Sequence, residues 1–177
     1  VHCHDWCAGL IPAYLKTLYG QREPWRDLTS LLTIHNLAYQ GNFWHWDMAL
    51  TGLDWRYFNW RQMEVYGNLS FLKTGLVFAD ALTTVSPTYA REIQDEAFGY
   101  GLAPLLRHRA GALRGILNGV DSALWNPAAD PALAVPYAAN RLAAKRENKR
   151  ALQQEMGLDL ATDRPLFGII SRLTEQK

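Results

Sequence analysis

The stretch Ser30-Leu31-Leu32-Thr33-Ile34-His35-Asn36-Leu37-Ala38-Tyr39-Gln40-Gly41 decides how the rest of the chain is read. Its first half is a short apolar, partly β-branched run of the kind that forms a buried strand. It stops at His35-Asn36, two polar side chains set where the strand runs out. In open α/β sheets ligands bind in the crevice beyond the carboxyl ends of the strands. A histidine and an amide at such an end are therefore candidates for substrate contact. They can equally serve to satisfy backbone groups at a strand-to-loop turn. The stretch alone leaves both readings open.

Moving outward, Val1 to His4 reads as the last turn of another buried strand, with Asp5-Trp6 at its carboxyl end. A helix is predicted from Ala8 to Leu18, with Leu10, Tyr14 and Leu18 on one face and Gly20 as its stop. On the other side, Asn42 to Trp60 is crowded with Phe43, Trp44, Trp46, Trp55, Tyr57, Phe58 and Trp60. Such rings can stack on sugar faces. Large aromatics are mostly buried, however, so a satellite core under a long irregular segment is the favoured expectation.

Helical spacing in Met63, Tyr66, Leu69, Leu72 and Leu76 predicts a helix over Gln62 to Phe78, kinked or split at its glycines. Asp80 to Val85 is a third strand. Ser86 follows as N-cap and Pro87 as first residue of a helix reaching Ile93. A turn and short helix occupy Gly99 to Arg107, and Leu113 to Leu117 is a fourth strand ending in Asn118-Gly119-Val120-Asp121. Trp125 to Asn140, rich in Pro and Ala, reads as a linker. A charged amphipathic helix over Arg141 to Met156 then leads to a buried strand, Leu166 to Ile170, which delivers Ser171-Arg172. Strand, polar end and helix recur in that order, predicting an α/β fold with a Rossmann-like parallel sheet and helices on both faces.

Composition narrows the function classes. Nearly half of the 177 residues are apolar and the formal net charge is +1, which gives no basic field for nucleic acid. No apolar run is long enough to span a bilayer, and no basic amphipathic segment suits a membrane surface. Two cysteines suggest no disulfide framework, so a reducing cytosol is the default expectation. The chain opens on Val1 inside a strand and stops directly after another, so a fragment of a longer enzyme is expected.

Several chemistries lack their signature. There is no nucleophile elbow, no phosphate-binding P-loop and no dinucleotide glycine fingerprint. His2, Cys3, His4, Asp5 and Cys7 invite a metal reading, but strand alternation puts His2 and His4 on one face and Cys3 on the other. No second cluster closes a coordination sphere, so no metal is expected. What remains is a set at strand ends: Asp5, His35, Asn36, Ser86, Asn118, Asp121, Arg172 and Lys177. The first unit offers hydrogen-bonding groups suited to sugar hydroxyls, and the second offers cations suited to a diphosphate.

His4-Asp5-Trp6, Thr33 to Gly41, Phe71 to Gly75, Thr83 to Tyr89, Gly115 to Asp121 with Trp125-Asn126-Pro127, and Ser171 to Lys177 occur in the order seen in one enzyme family. In these motifs the whole chain resembles the bacterial glycogen synthases and plant starch synthases, which use ADP-glucose. The resemblance implies a GT-B glycosyltransferase, two Rossmann-like domains facing across a cleft. It would transfer glucose from ADP-glucose to the non-reducing end of an α-1,4-glucan such as glycogen or a maltooligosaccharide, with retention and without a cofactor or metal. On the family pattern Asp5 and His35 belong to the donor-sugar and catalytic pocket, and Asn118 contacts glucose hydroxyls. Trp6 shapes the acceptor side, Asn36 joins the substrate-binding set, and Arg172 and Lys177 hold the diphosphate.

Cys7 stands where the family more often has a histidine or another polar residue. The family's amino-terminal Lys-x-Gly-Gly loop and a glutamate from its second domain are absent from this sequence, so no synthase activity is expected of this chain by itself. The domain reading that follows is residues 1–125 as the later part of the amino-terminal, acceptor-side domain, 126–164 as linker and helix, and 165–177 as the start of the nucleotide-sugar domain. The resemblance places the protein in the bacterial cytoplasm, or in a plastid if the source is a plant. Two alternatives stay open: a related transferase with another donor such as UDP-glucose, and a non-catalytic glucan-binding module resting on the Trp-rich segment.

Overall fold

Residues 1–174 are described by the computed structural model. In chain order the elements of the first unit, Val1–Asn118, are β1 (His2–His4), α1 (Leu10–Lys16), β2 (Leu31–Ile34), β3 (Asn42–Phe43), β4 (Glu64–Val65), β5 (Asn68–Ser70), α2 (Phe71–Phe78), β6 (Ala81–Thr84), α3 (Pro87–Glu92), α4 (Ala103–His108) and β7 (Leu113–Gly115). Short 3-10 turns cover Trp6–Ala8, His45–Thr51, Trp55–Tyr57 and Ala110–Ala112.

Four strands form a parallel sheet in the order β1-β2-β6-β7. His4 stands opposite Thr33, Thr33 opposite Thr83, and Thr83 opposite Arg114. Each strand is laid down on the same side of its predecessor. Since parallel crossovers are right-handed, helices that connect such a series fall on one face. Burial agrees: Cys3, Leu32, Ile34, Leu82, Thr84 and Leu113 point into the core with Leu72, Leu76, Ile93 and Leu106, while His2, His4, Ala81 and Arg114 are exposed. The expected α/β parallel sheet is present. Helices are expected on both faces; among the described residues they cover one, because the strands progress in one direction, and the other face carries a polar row of His2, His4, Thr33, Thr83 and Arg114.

A second core lies on α1 and α2, built from Ala13, Met48, Leu53, Met63 and Leu69 with Tyr14, Phe43, Tyr57 and Phe58 packed on it. This is the expected satellite core, but the tryptophans do not fill it. Trp44 is 62% exposed and Trp46 57%, and Trp55 and Trp60 are exposed as well. Methionine and leucine supply the buried volume, leaving the indoles outside in edge contact, Trp44 to Trp46 and Trp46 to Trp55.

The helix expected over Gln62 to Phe78 is overturned in its first half. Residues 64–70 form an antiparallel hairpin of β4 and β5, and α2 begins only at Phe71. The cause is Tyr66-Gly67, both with positive φ (46° and 81°), a turn that suits the right-handed twist of two strands and that Gly67 makes accessible. Ser70 then caps α2 by accepting from the Lys73 amide, as Ser86 caps α3 by accepting from that of Tyr89, with Pro87 first in the helix.

The second unit, from Gly119 onward, holds a 3-10 segment Ala139–Ala144 and α5 (Lys145–Glu155). Arg141, at φ −138° and ψ 51°, interrupts the helix expected from that residue. Asn148 clips the preceding chain to α5, its amide donating to the Val135 carbonyl at 2.7 Å and accepting from the Val135 N–H at 3.0 Å. Leu142, Leu152 and Met156, which form the apolar side of that expected amphipathic helix, are exposed. The buried strand expected over Leu166 to Ile170 does not form among the described residues; Phe167, Ile169 and Ile170 are almost fully exposed. A strand exists only where a neighbour takes up its backbone groups, and no described segment pairs with this one.

Candidate functional site

The carboxyl ends of β1 and β2 meet at a polar corner. The ladder continues one step past the strands, with the Asp5 N–H donating to the Thr33 carbonyl at 2.9 Å. This brings the Asp5 side chain against the start of the next loop. Its Oδ1 accepts from the backbone N–H of His35 at 2.7 Å and from that of Asn36 at 3.4 Å. Asp5 is thus both a candidate site residue and the anchor of the loop that presents His35. It does this at φ 51° and ψ −166°, a region nearly reserved for glycine.

The loop of residues 35–41 is tied down along its length. Asn36 accepts from the Ala38 N–H through its Oδ1. The Leu37 N–H donates to the Tyr89 hydroxyl at 3.0 Å, and burial pushes the Tyr89 phenol above its ordinary range despite that amide's lowering influence. Gln40 donates to the Tyr100 carbonyl. The loop ends at Gly41, whose φ is 58° and where an added Cβ would lie 2.4 Å from the Trp6 indole. Trp6 is therefore packed against the far end of the same loop and against Phe43.

On the open face the imidazoles form a contact chain. His2 and His4 rings lie 4.2 Å apart, and His4 and His35 rings 5.2 Å. His4 Nδ1 and His35 Nε2 are hydrogen-bonded at 2.9 Å. His2 Nε2 meets the Thr33 hydroxyl at 2.6 Å, and Thr33 meets that of Thr83 at the same distance. Despite this gathering, no group of three or more His, Cys, Asp or Glu among the described residues is arranged to hold a metal ion.

Of the residues singled out in the sequence, Asp5, Trp6, His35 and Asn36 come together here. Asn118 lies just beyond β7, exposed, at the last position of the same unit. Arg172 is exposed and irregular in the second unit. Lys177 lies outside the described residues. The corner presents a carboxylate, an amide and imidazole nitrogens, groups that exchange hydrogen bonds with hydroxyls. The cleft of about 590 Å³ along Trp60, Lys73 and α4 uses none of these residues. Lys73 itself is committed to the carbonyls of Trp60 and Glu64, and burial lowers its pKa.

Sequence reading places Tyr89 and His4 within larger motifs but gives Tyr89 no site role and weighs His4 individually only as a metal ligand. Tyr89 carries a signal, an aromatic one turn into a capped helix, but its partner is distant in sequence. Arg109, also unforeseen, donates to the carbonyls of Leu76, Val77 and Ala79 and so closes the end of α2.

A family model described as the starch synthase catalytic domain matches residues 1–108. Over the whole chain, 59% of positions are identical to the glycogen synthase of Dechloromonas aromatica and 51% to that of Nitrosomonas europaea. The chain spans about a third of the length of these relatives, 35% in each case. Among solved structures, the catalytic domain of starch synthase IV from Arabidopsis thaliana, bound to ADP and acarbose, is similar with a TM-score of 0.73 and 33% identity. That match covers 89% of this chain and 33% of the other. No helix among the described residues is long and apolar enough to cross a membrane.

Proposed function

Because the chain belongs to the starch synthase catalytic domain family, we propose that it is a segment of a retaining glucosyltransferase that extends an α-1,4-glucan from ADP-glucose. The observation that carries this reading is the convergence of Asp5, His35 and Asn36 at the carboxyl edge of a parallel sheet. In this reading Asp5 and His35 contact the donor sugar and Trp6 bounds the acceptor side. Asn36 and Asn118 add hydroxyl contacts.

The residues 1–125 belong to the acceptor-side domain, 126–164 form the connection, and 165–177 open the nucleotide-sugar domain. From that second domain Arg172 and Lys177 neutralise the diphosphate. ADP departs readily only when the charge gathering on it is met by fixed cations in a site shielded from water. The sugar hydroxyls, meanwhile, need paired donors and acceptors, which is what the strand-end corner supplies. No catalytic metal or cofactor enters this scheme. The exposed indoles of Trp44, Trp46 and Trp55 give a glucan apolar faces to lie against. The relatives' names and the ADP and acarbose of the starch synthase IV structure support the donor and acceptor classes.

The test is glucosyl incorporation into glycogen by a full-length synthase carrying this segment, with ADP-glucose and UDP-glucose compared at equal concentration. Faster incorporation from ADP-glucose is expected. A preference for UDP-glucose would transfer the protein to another donor class, and glucan binding without incorporation from either donor would leave it a binding module.

A further inference from the structure

We propose that His4 is a positioning residue for His35, fixing the ring orientation and tautomer with which His35 meets the donor sugar; this rests on the reading of His35 as a sugar contact. At 2.9 Å between His4 Nδ1 and His35 Nε2, one nitrogen carries the hydrogen and the other accepts it. Two unprotonated nitrogens would repel at that distance, and so would two protonated ones. The pairing takes up Nε2 of His35 and leaves Nδ1 as its other ring nitrogen. If His4 donates, neutral His35 bears its proton on Nδ1 and gives a hydrogen bond to a sugar hydroxyl. If His35 donates, Nδ1 accepts one. A neighbouring histidine thereby decides which role His35 plays.

His4 is itself braced. Its ring lies 4.2 Å from that of His2, tilted by 34°. His2 is held by the Thr33 hydroxyl, which in turn meets that of Thr83. Contacts therefore run across three strands, from β6 through β2 to β1, before returning to the end of β2 at His35. The backbone of His35 is fixed separately, by Asp5. Backbone and ring are thus set by two adjacent residues of β1 and its end, which makes the short sequence His4-Asp5 a two-point mount for one side chain.

The experiment uses a full-length synthase carrying this segment. His4→Phe keeps a ring against His2 and deletes Nδ1; His4→Ala deletes both; His4→Asn returns a hydrogen-bonding group close to the place of Nδ1. Misplacing a reacting group by an ångström can cost about a hundredfold, so kcat is expected to fall about ten- to a hundredfold in His4→Phe and His4→Ala. KM for glycogen should hold, and His4→Asn should recover most of the loss, with thermal midpoints matching the parent. Should His4→Phe fail to fold, His4→Ala against His4→Asn makes the same comparison. Parent-like kcat in the deletions, or His4→Asn as slow as His4→Ala, would overturn the proposal. An inactive parent would instead count against the assigned reaction.

Discussion

Asp5 holds a backbone conformation that costs about 1–3 kcal/mol for a residue other than glycine. What offsets the strain is visible: a carboxylate oxygen that accepts from two successive amides of the neighbouring loop. Hydrogen bonds to a charged group are worth about 1.5–3 kcal/mol each. Asp5→Ala is therefore expected to lower unfolding free energy by about 1–3 kcal/mol, as read from urea midpoints. Asp5→Asn, which keeps an accepting oxygen, should lose less stability than Asp5→Ala and yet lose glucosyl transfer in a full-length synthase. Equal stability losses in the two variants would remove the anchoring role. The position of Asp5 at a strand end was legible from its sequence context. Its grip on His35 and Asn36 was not, because that depends on β1 pairing with β2 in one register, across a separation of 30 residues. The same register brings His4 to His35.

At the scale of elements, Asp80 shows how the sheet's opposite end is held. It bonds the N–H and hydroxyl of Ser30 at the entry to β2 and pairs with Lys16 at the end of α1. Partial burial works against its ionisation, but the Lys16 ammonium and the Ser30 donors outweigh it and hold the carboxyl below its ordinary range. A depressed folded pKa contributes stability above the unfolded value, near 3.9, which is lost as pH falls through the folded one. Asp80→Asn should accordingly be less stable than the parent at about pH 7, with the gap closing below about pH 4. The ion pair with Lys16 is substantially exposed and adds about 1 kcal/mol or less; the rest of the gap is the charge assistance that the Ser30 bonds lose when the carboxylate becomes an amide. Denaturant midpoints at the two pH values measure it, and a gap that does not change with pH would contradict the assignment. Strands β1, β2, β6 and β7 and the Ser86 cap could be read directly, since alternation and capping are local. The hairpin of β4 and β5 could not. Met63, Tyr66 and Leu69 mimic helical spacing, and only the turn at Tyr66-Gly67 separates the two outcomes. The tryptophans were misjudged for a related reason: hydrophobic size says that a ring can be buried, while Met48, Leu53 and Met63 decide whether room is left for it.

For the whole molecule, the parallel sheet of the first unit follows its sequence because each of its strands finds a partner strand in the same unit. The segment from Leu166 to Ile170 carries the apolar pattern of a buried strand, yet pattern alone cannot supply hydrogen-bond partners, and it stays exposed. In the proposed reading the strand-end corner, where Asp5 meets His35 and Asn36, contacts the sugar, and cations from the second unit meet the diphosphate. The measurement that bears most directly on this division of labour is incorporation of labelled glucose from ADP-glucose into glycogen by a full-length synthase carrying this segment, with His35→Ala beside the parent. Incorporation by the parent and a fall of about a hundredfold or more in His35→Ala, at an unchanged thermal midpoint, is expected when one positioned polar contact is removed. Near-normal incorporation by His35→Ala would return that histidine to a structural role and contradict the placement of the site.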